Sequence, residues 1–572
     1  MSNSKTYLIT SALPYVNGVK HIGNVAGSLL PADVFARYQR LNGSKVVFVC
    51  GTDDHGTTTE IAALKEGISS KEYSDKYHEI QREIYSKWNL SFDIFSRTSS
   101  IENHHTTCEM FQLMYSNGLI SQSSLKIPYC LVDQRFIADR YIEGTCPNCS
   151  FDGARGDQCE KCGKLLDPID LIKPRCNICK KDKIEFRESK HLFLDLFKLS
   201  DKLKEWLTKQ TDWPVNARNF ALQWIEGGLK PRCITRDLDW GVKVPLAGFE
   251  NKVFYVWFDA PIGYISFTKQ WALKDSNNRN WQEFWKNDQA QIIHFIGKDN
   301  IAFHSVIWPA MIMASGYCNL PTRVQAYEFL NLEGKKFSTS RNWGIDAKEA
   351  LDWFDADYWR YYLISILPER SDANFSWKEF QSAANSDLAD VYGNLIHRCL
   401  TFTHSKFGGL VPKPTEQSQW TENQIKFYEQ FQITCKNVKE LMNNYKLQEA
   451  LRVIMDFARQ ANKFFSDSAP WKLECDSNIA NDASTTIFLT VNACRSIALL
   501  LYPFVPSSSI KAFKYLNGQN IELCSIDESA SLMVESGTKI AEKEVLTPLF
   551  TKILDEKIEM YSTLVSSRSK SI

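Results

Sequence analysis

At the start of the chain, unbroken apolar runs bracket a segment with helical spacing. Tyr7-Leu8-Ile9-Thr10 and Val46-Val47-Phe48-Val49 are the runs, and an all-apolar run of this length suits a strand covered on both faces. Between them Leu30, Val34, Tyr38 and Leu41 predict a helix over 29–41, which Asn42-Gly43 ends. This is one βαβ unit, with Pro14, Gly18 and Gly23 in the loop between strand and helix. The pattern resumes far downstream. Ile292-Ile293-His294-Phe295-Ile296 predicts a strand ending at Gly297-Lys298-Asp299, and 302–315 predicts a helix. After about residue 385 strand signals fade, and helical patterns cover 384–407, 422–445, 447–465 and 485–501. The pattern predicts an α/β chain: a split Rossmann-like parallel-sheet domain interrupted by a long insertion, followed by an α-helical bundle.

A chain of 572 residues is too long for one core. With 44% hydrophobic and 23% charged residues it has an ordinary globular composition. Its formal net charge of zero argues against binding nucleic acid by overall charge, though not against a local basic groove. No membrane partner is expected, because apolar stretches such as 496–505 are short for a bilayer. The N-terminus resembles neither a signal nor a transit peptide, so a cytoplasmic location is expected. Of the 16 cysteines, six form C-x-x-C pairs between residues 146 and 179. In a large intracellular chain that spacing points to metal rather than disulfides. Cys146, Cys149, Cys159 and Cys162 can close a tetrahedral thiolate site for Zn²⁺, with no position open for catalysis. Residues 564–572, Ser-rich with two basic residues, read as a frayed tail.

Two segments carry candidate nucleotide chemistry. His21-Ile22-Gly23-Asn24 lies in the first strand-to-helix loop, where ligands of open α/β sheets sit. Lys336-Phe337-Ser338-Thr339-Ser340, flanked by Lys335 and Arg341, sets cations beside hydroxyls, as a triphosphate clamp requires. Alone, each has a plain alternative: a structural histidine and a solvated basic loop. Neither a Walker loop nor a dinucleotide fingerprint competes.

Together they resemble the HIGH and KMSKS motifs of class I aminoacyl-tRNA synthetases. Further stretches resemble the methionyl-tRNA synthetases: Thr10-Ser11-Ala12-Leu13-Pro14-Tyr15, Cys50-Gly51-Thr52-Asp53-Asp54-His55-Gly56, Val256–Tyr264 (VWFDAPIGY) and His294–Pro309 (HFIGKDNIAFHSVIWP). The resemblance implies ATP-dependent activation of methionine to methionyl-adenylate, then transfer to the 3′ end of tRNA(Met). It implies that Asp53 and the Leu13 backbone hold the ammonium, and that Tyr15, Trp257, Ala260, Pro261, Tyr264 and His304 form the side-chain pocket. ATP, with Mg²⁺, falls to His21, Gly23, Asn24, Gly297, Asp299, Lys336, Ser338 and Thr339, of which His21, Asn24 and Lys336 carry the catalysis. Arg236 resembles an element near the phosphates or the tRNA end. Trp257 and Tyr264, seven apart beside Pro and Gly, read as a strand-to-helix turn. The pattern departs from the family at Asn24, where the second His would stand, and at Thr339, where the second Lys would stand.

The archaeal-type branch often carries a second zinc, here implying Cys130, Asp133, Cys176 and Cys179. Asn394 and Arg398, one helical turn apart, and Trp471 match residues that read the anticodon. The expected domains are 1–118 and 236–325 for the catalytic fold, 119–235 for the insertion, 326–385 for the KMSKS-type loop and stem-contact region, 386–540 for the anticodon bundle and 541–572 for a C-terminal extension. No further dimerisation module is evident, so a monomer is expected. Rival readings are a non-catalytic zinc-ribbon RNA-binding protein and another class I synthetase.

Overall fold

The computed structural model describes residues 5–137, 141–156, 159, 161–162, 166–338, 342–472, 477–516, 518 and 520–568. The apolar runs form a five-stranded parallel sheet in the order Arg323–Tyr327, Gln291–Gly297, Thr6–Ser11, Lys45–Thr52, Ile94–Arg97. Leu8, Ile9, Phe48, Val49, Ile292 and Ile293 are completely buried, which is why these strands carry no alternating polar face. The first strand lies at the centre. The chain leaves it toward Lys45–Thr52 and leaves Gln291–Gly297 toward Arg323–Tyr327 on the other side, so a crevice opens between the carboxyl ends of these two strands.

Between Ile94–Arg97 and Val253–Phe254 the chain departs along an antiparallel ribbon. Ile120–Cys130 pairs residue for residue with Ile184–Leu194. A small sheet of Ile142–Thr145, Asp152–Arg155 and Ile172–Cys176 sits at its far end among the cysteines.

The helices read over 302–315 and 384–407 are not uniform, and the one read over 29–41 is preceded by a π-helical segment. Val25–Leu29, Phe303–Ile307 and Ala383–Gly393 are π-helical and run into the α-helices Leu30–Leu41, Trp308–Ser315 and Asn394–Phe407. A π turn accommodates an extra residue and rotates the side chains that follow, a device frequent at functional sites. The strand-to-helix turn expected from the sequence at Trp257 and Tyr264 is not what the structure shows. Both lie on one helix, Val256–Leu273, two turns apart and on one face. Pro261 inside that helix has no N–H to offer the Trp257 carbonyl.

The helices after residue 385 share one continuous core with the catalytic half. Phe35 stacks on Tyr445 at 4.6 Å between ring centres. A buried charge network also crosses the junction. Asp33, completely buried, accepts from Arg37 Nε at 3.0 Å, Arg360 Nη2 at 2.6 Å and both N–H and Oγ of Ser91. Despite its burial, the two guanidiniums and Ser91 hold the carboxyl down to about 2. Arg37 donates onward to the Tyr502 hydroxyl at 2.7 Å, and Arg360 to the carbonyls of Pro503 and Phe504 at 2.9 Å. The stretch Asp482–Leu501 is long and apolar enough to cross a membrane, but nearly all of it is buried inside the protein as a core helix of the bundle.

Residues 564–568 are not frayed. The helix Asp555–Arg568 lies back on the chain: Tyr561 stacks on Trp353 at 4.5 Å, Val565 is buried and Arg568 pairs with Glu349. A buried valine and a terminal ion pair anchor what composition suggested was loose. Residues 569–572 lie outside the described residues.

Candidate active site and metal centres

A cavity of about 470 Å³ occupies the crevice between the two central strands. Its walls include Leu13, Tyr15, His21, Gly23, Asn24, Trp257, Gly297, Asp299 and Lys336. The two nucleotide motifs meet there. Phe337 stacks on the His21 ring at 4.5 Å and 14°, and the Ile22 N–H donates to the Ile345 carbonyl at 2.9 Å. Gly23 is required by this packing, since a Cβ there would lie 2.9 Å from His21 Nδ1. Burial and the neighbouring Lys20 push His21 down to about 4. The ring is therefore neutral at physiological pH and acts as a hydrogen-bonding group, leaving positive charge to lysines. Lys336 sits exposed at the cavity edge and Ser338 bridges back to Trp343. Thr339 and Arg341 lie outside the described residues.

Sequence reasoning missed Lys20, which also lines the cavity. It is drawn down to about 8 by burial, with Asp53 opposing the shift. Its position directly before His21 was the available signal.

Asp53 lies beneath the loop. Its N–H donates to the Pro14 carbonyl at 2.9 Å, its carbonyl accepts from Val16 N–H at 3.3 Å, and the side chain is only 2% exposed. Oδ1 has no hydrogen-bond partner. Burial, then the charges of Asp259 and Asp54, push its carboxyl well above the usual carboxylate range. A buried carboxyl oxygen without a donor is costly unless a ligand supplies one.

Beside it, hydrogen bonds fix two neutral imidazoles. His304 Nδ1 lies 3.1 Å from the Asn300 carbonyl, which can only accept, so Nδ1 carries the proton. Burial lowers His304 to about 4, leaving Nε2 to accept from the Tyr264 hydroxyl at 2.9 Å. Behind them His294 Nε2 accepts from the Trp308 indole at 3.2 Å, so its Nδ1–H donates to Thr10 Oγ1 at 2.6 Å. Tyr15 meets Trp257 edge-on at 6.2 Å, and Phe303, not singled out in the sequence, stacks on Trp257 at 3.8 Å. Ala260, Pro261, Tyr264 and His304 are buried behind this wall. The result is an aromatic compartment of neutral imidazoles next to a buried carboxyl whose Oδ1 is unpartnered.

At the tip of the insertion the ligand atoms of Cys146, Cys149, Cys159 and Cys162 all lie within 4.8 Å of one another, as do those of Cys130, Asp133, Cys176 and Cys179. Sulfur pairs are separated by 3.9 Å for Cys146–Cys162, 3.6 Å for Cys149–Cys159 and 3.6 Å for Cys130–Cys179. A tetrahedron with Zn–S arms of ~2.3 Å has edges of about 3.8 Å, so the spacing suits a tetrahedral metal ion. Asp133 Oδ2, 3.1 Å from Cys176 Sγ, completes the second set.

In the bundle, Asn394 and Arg398 share a helix face. Arg398 stands 5.2 Å above the Phe465 ring, and Phe465 lies 6.1 Å from Trp471, which is 42% exposed. Phe465 thus joins Arg398 to Trp471, a link invisible to spacing. Arg236 lies away from the motif cavity, over the Tyr255 ring at 4.0 Å in the wall of a second cavity.

The chain is similar to known proteins over nearly its whole length. Residues 7–400 match the family described as tRNA synthetases class I (M), and 411–570 match the anticodon binding domain of methionyl tRNA ligase. It is 42% identical to a methionine–tRNA ligase of Pyrococcus furiosus, covering 96% of this chain and 76% of that one. Methionine–tRNA ligase 1 of Acaryochloris marina is also 42% identical, over 96% of this chain and 98% of that one. The crystal structure of Mycobacterium tuberculosis methionyl-tRNA synthetase bound by methionyl-adenylate superposes with a TM-score of 0.80 at 26% identity, over 96% of this chain and 100% of that one. With the two motifs in contact over a shared cavity and these matches along its length, the chain belongs to the methionyl-tRNA synthetases of class I.

Proposed function

We propose that the chain activates L-methionine with ATP and transfers it to the 3′ end of tRNA(Met), as a cytoplasmic monomer. The observation that carries this reading is the buried Asp53 carboxyl, whose Oδ1 has no hydrogen-bond partner, beside an aromatic compartment of neutral imidazoles. One end of that space asks for an ammonium; the other suits a flexible, uncharged thioether, which interacts favourably with aromatic rings. Leucine fits the apolar part less well, and a charged side chain would lie against neutral imidazoles.

In the first step the methionine carboxylate attacks the α-phosphate of ATP, and pyrophosphate leaves. Asp53 and the Leu13 backbone hold the ammonium, while Tyr15, Trp257, Ala260, Pro261, Tyr264 and His304 enclose the side chain. The nucleotide lies along His21, Gly23 and Asn24, with Gly297 and Asp299 at its ribose. Neutral His21 and Asn24 donate hydrogen bonds; Lys336, Ser338 and Thr339 close over the departing pyrophosphate, accompanied by Mg²⁺. A terminal ribose hydroxyl of the tRNA then attacks the adenylate carbonyl, and AMP leaves. Neither step uses a protein nucleophile, so positioning and preorganised charge carry the catalysis.

Zn²⁺ is the ion these sulfur-rich sets suit, and it holds the tip of the insertion together without an open position for chemistry. Residues 119–235 carry the zinc sites, and 386–540 read the anticodon through Asn394, Arg398 and Trp471. Amino-acid-dependent ATP–pyrophosphate exchange across a panel of amino acids tests the reading. Methionine should be preferred over leucine or valine on the order of 100-fold; exchange driven equally by another amino acid overturns it.

A further inference from the structure

The cavity between the two motifs has to hold a triphosphate with little positive charge of its own. Asn24 and Thr339 stand where the class carries a histidine and a lysine, and His21 is neutral. Lys335 is not in the cavity wall; its ammonium lies over the Trp343 ring at 5.1 Å. Lys298 is held by Glu328 at 2.8 Å and Asp372 at 2.5 Å. Among the described residues that line the cavity, Lys20 and Lys336 are the only cations. Lys336 stands exposed at the rim. Lys20 is half-buried and lies on the Asp53 side, near enough for that carboxylate to oppose the loss of its charge. Its backbone is fixed: the Ala347 N–H donates to its carbonyl at 2.8 Å, and the next residue, His21, bridges to Asp346. Its Nζ donates to Oδ1 of the exposed Asn17 at 2.5 Å and pairs with no carboxylate of the described residues. A half-buried ammonium in a cavity wall, with only a neutral partner, is a seat for an anion that the protein itself does not supply.

We propose that Lys20 is a further catalytic residue of adenylate formation, the cation that meets the α-phosphate of ATP, a role that rests on the methionine-activation reading above. Asp53 holds the amino-acid ammonium, and the carboxylate to be activated sits on the same carbon, so the α-phosphate must approach the Asp53 side of the cavity. Two anions then close on each other. As the bond from carboxylate oxygen to phosphorus forms, the bond from phosphorus to the pyrophosphate oxygen breaks, and Lys20 offsets the charge gathering on the α-phosphate oxygens. Lys20 gives up no proton. Lys336 meets the departing pyrophosphate at the rim, so the two lysines divide the triphosphate between them. Burial draws the Lys20 ammonium down to about 8, and it loses its charge as the pH rises through that value. The other titratable or charged groups around it are His21, already neutral above about 4, Asp346 and Asp299, whose carboxyls burial raises, and Asp53, Glu328 and Lys336. Asp53 acts in the opposite sense, because losing its proton favours the ammonium of the substrate.

The test compares the full-length protein with Lys20→Met and Lys20→Arg, using AMP and adenosine as binding probes and pyrophosphate exchange as the activity. Lys20→Met should bind AMP at least about tenfold more weakly, since a charge-assisted hydrogen bond is lost, and should bind adenosine, which has no phosphate, as the wild type does. Its exchange rate should fall by on the order of 100-fold, with methionine KM within a few-fold. In the wild type, kcat/KM for ATP should decline as the pH rises through about 8. That limb should vanish in Lys20→Met and move upward in Lys20→Arg, whose guanidinium stays charged; a packing role would shift neither. AMP binding by Lys20→Met within about threefold of wild type, equal loss of AMP and adenosine, or an alkaline limb that survives in Lys20→Met overturns the proposal. Exchange driven by another amino acid would overturn the methionine reading and leave the AMP comparison standing, so the two fail separately.

Discussion

Replacing Asp53 with Asn isolates the charge that the substrate is proposed to need. The substitution keeps the side chain's size in a site that is 2% exposed, and it removes the carboxylate whose Oδ1 has no partner in the protein. A hydrogen bond to a charged group contributes ~1.5–3 kcal/mol, and leaving an ammonium buried beside a neutral amide adds to the loss. About 3 kcal/mol is the working figure, or a factor of about 150 at 1.36 kcal/mol per tenfold. The empty protein should respond in the opposite sense. The folded-state carboxyl is raised above its unfolded value. Its contribution is neutral where both states are protonated, below the ordinary carboxylate range. It becomes a growing penalty as pH rises from there toward the folded value. At neutral pH the wild-type protein carries a penalty that the Asn variant lacks. Pyrophosphate exchange should therefore show methionine KM raised by roughly two orders of magnitude. Thermal melting without ligand should occur at the same temperature or higher in the variant, and added methionine should no longer raise it. A methionine KM within threefold of wild type, or a variant melting well below it, would refute the reasoning.

Lys336→Ala should slow adenylate formation by on the order of 100-fold while methionine KM stays within a few-fold, because its charge acts on developing pyrophosphate; pre-steady-state exchange kinetics separate the two. Elemental analysis should find two zinc ions per chain, and Cys146→Ser should lose one and leave the insertion sensitive to proteolysis. A fully active protein without metal contradicts that assignment. Trp471→Ala removes one stacking partner worth ~1–3 kcal/mol, so tRNA charging should fall roughly 10- to 100-fold. Exchange without tRNA should persist, and equal damage to both would point to a packing role.

The sheet was legible because doubly buried strands leave unbroken apolar runs, as at Val46–Val49. The motif residues were legible because chemistry restricts residue type: a glycine where an imidazole packs, a lysine where the proposed mechanism has pyrophosphate leave. Contacts between distant segments were not. Nothing in the spacing announces that Phe337 stacks on His21 or that Phe465 joins Arg398 to Trp471. The π turn at Phe303–Ile307 escaped for a different reason. It preserves helical periodicity on either side and only rotates the array that follows. Trp257 and Tyr264 were assigned to the wrong local geometry because Pro261 and Gly263 suggest a turn, whereas here Pro261 is accommodated within the second turn of a helix.

The charge network around Asp33 bears on how far this architecture can be treated as exchangeable parts. A fragment ending near residue 385 would keep Asp33, Arg37 and Arg360 together. It would strip Arg37 of the Tyr502 hydroxyl and Arg360 of the Pro503 and Phe504 carbonyls, and it would uncover the ring of Phe35 that Tyr445 now protects. Two guanidiniums would then face water across an apolar seam shaped to exclude it. A bundle borrowed from a relative could restore function only if it brought a hydroxyl and two outward-facing carbonyls to the same places. The anticodon-reading half and the activating half are thus bound to be inherited as a matched pair, tied by a buried seam rather than by a linker.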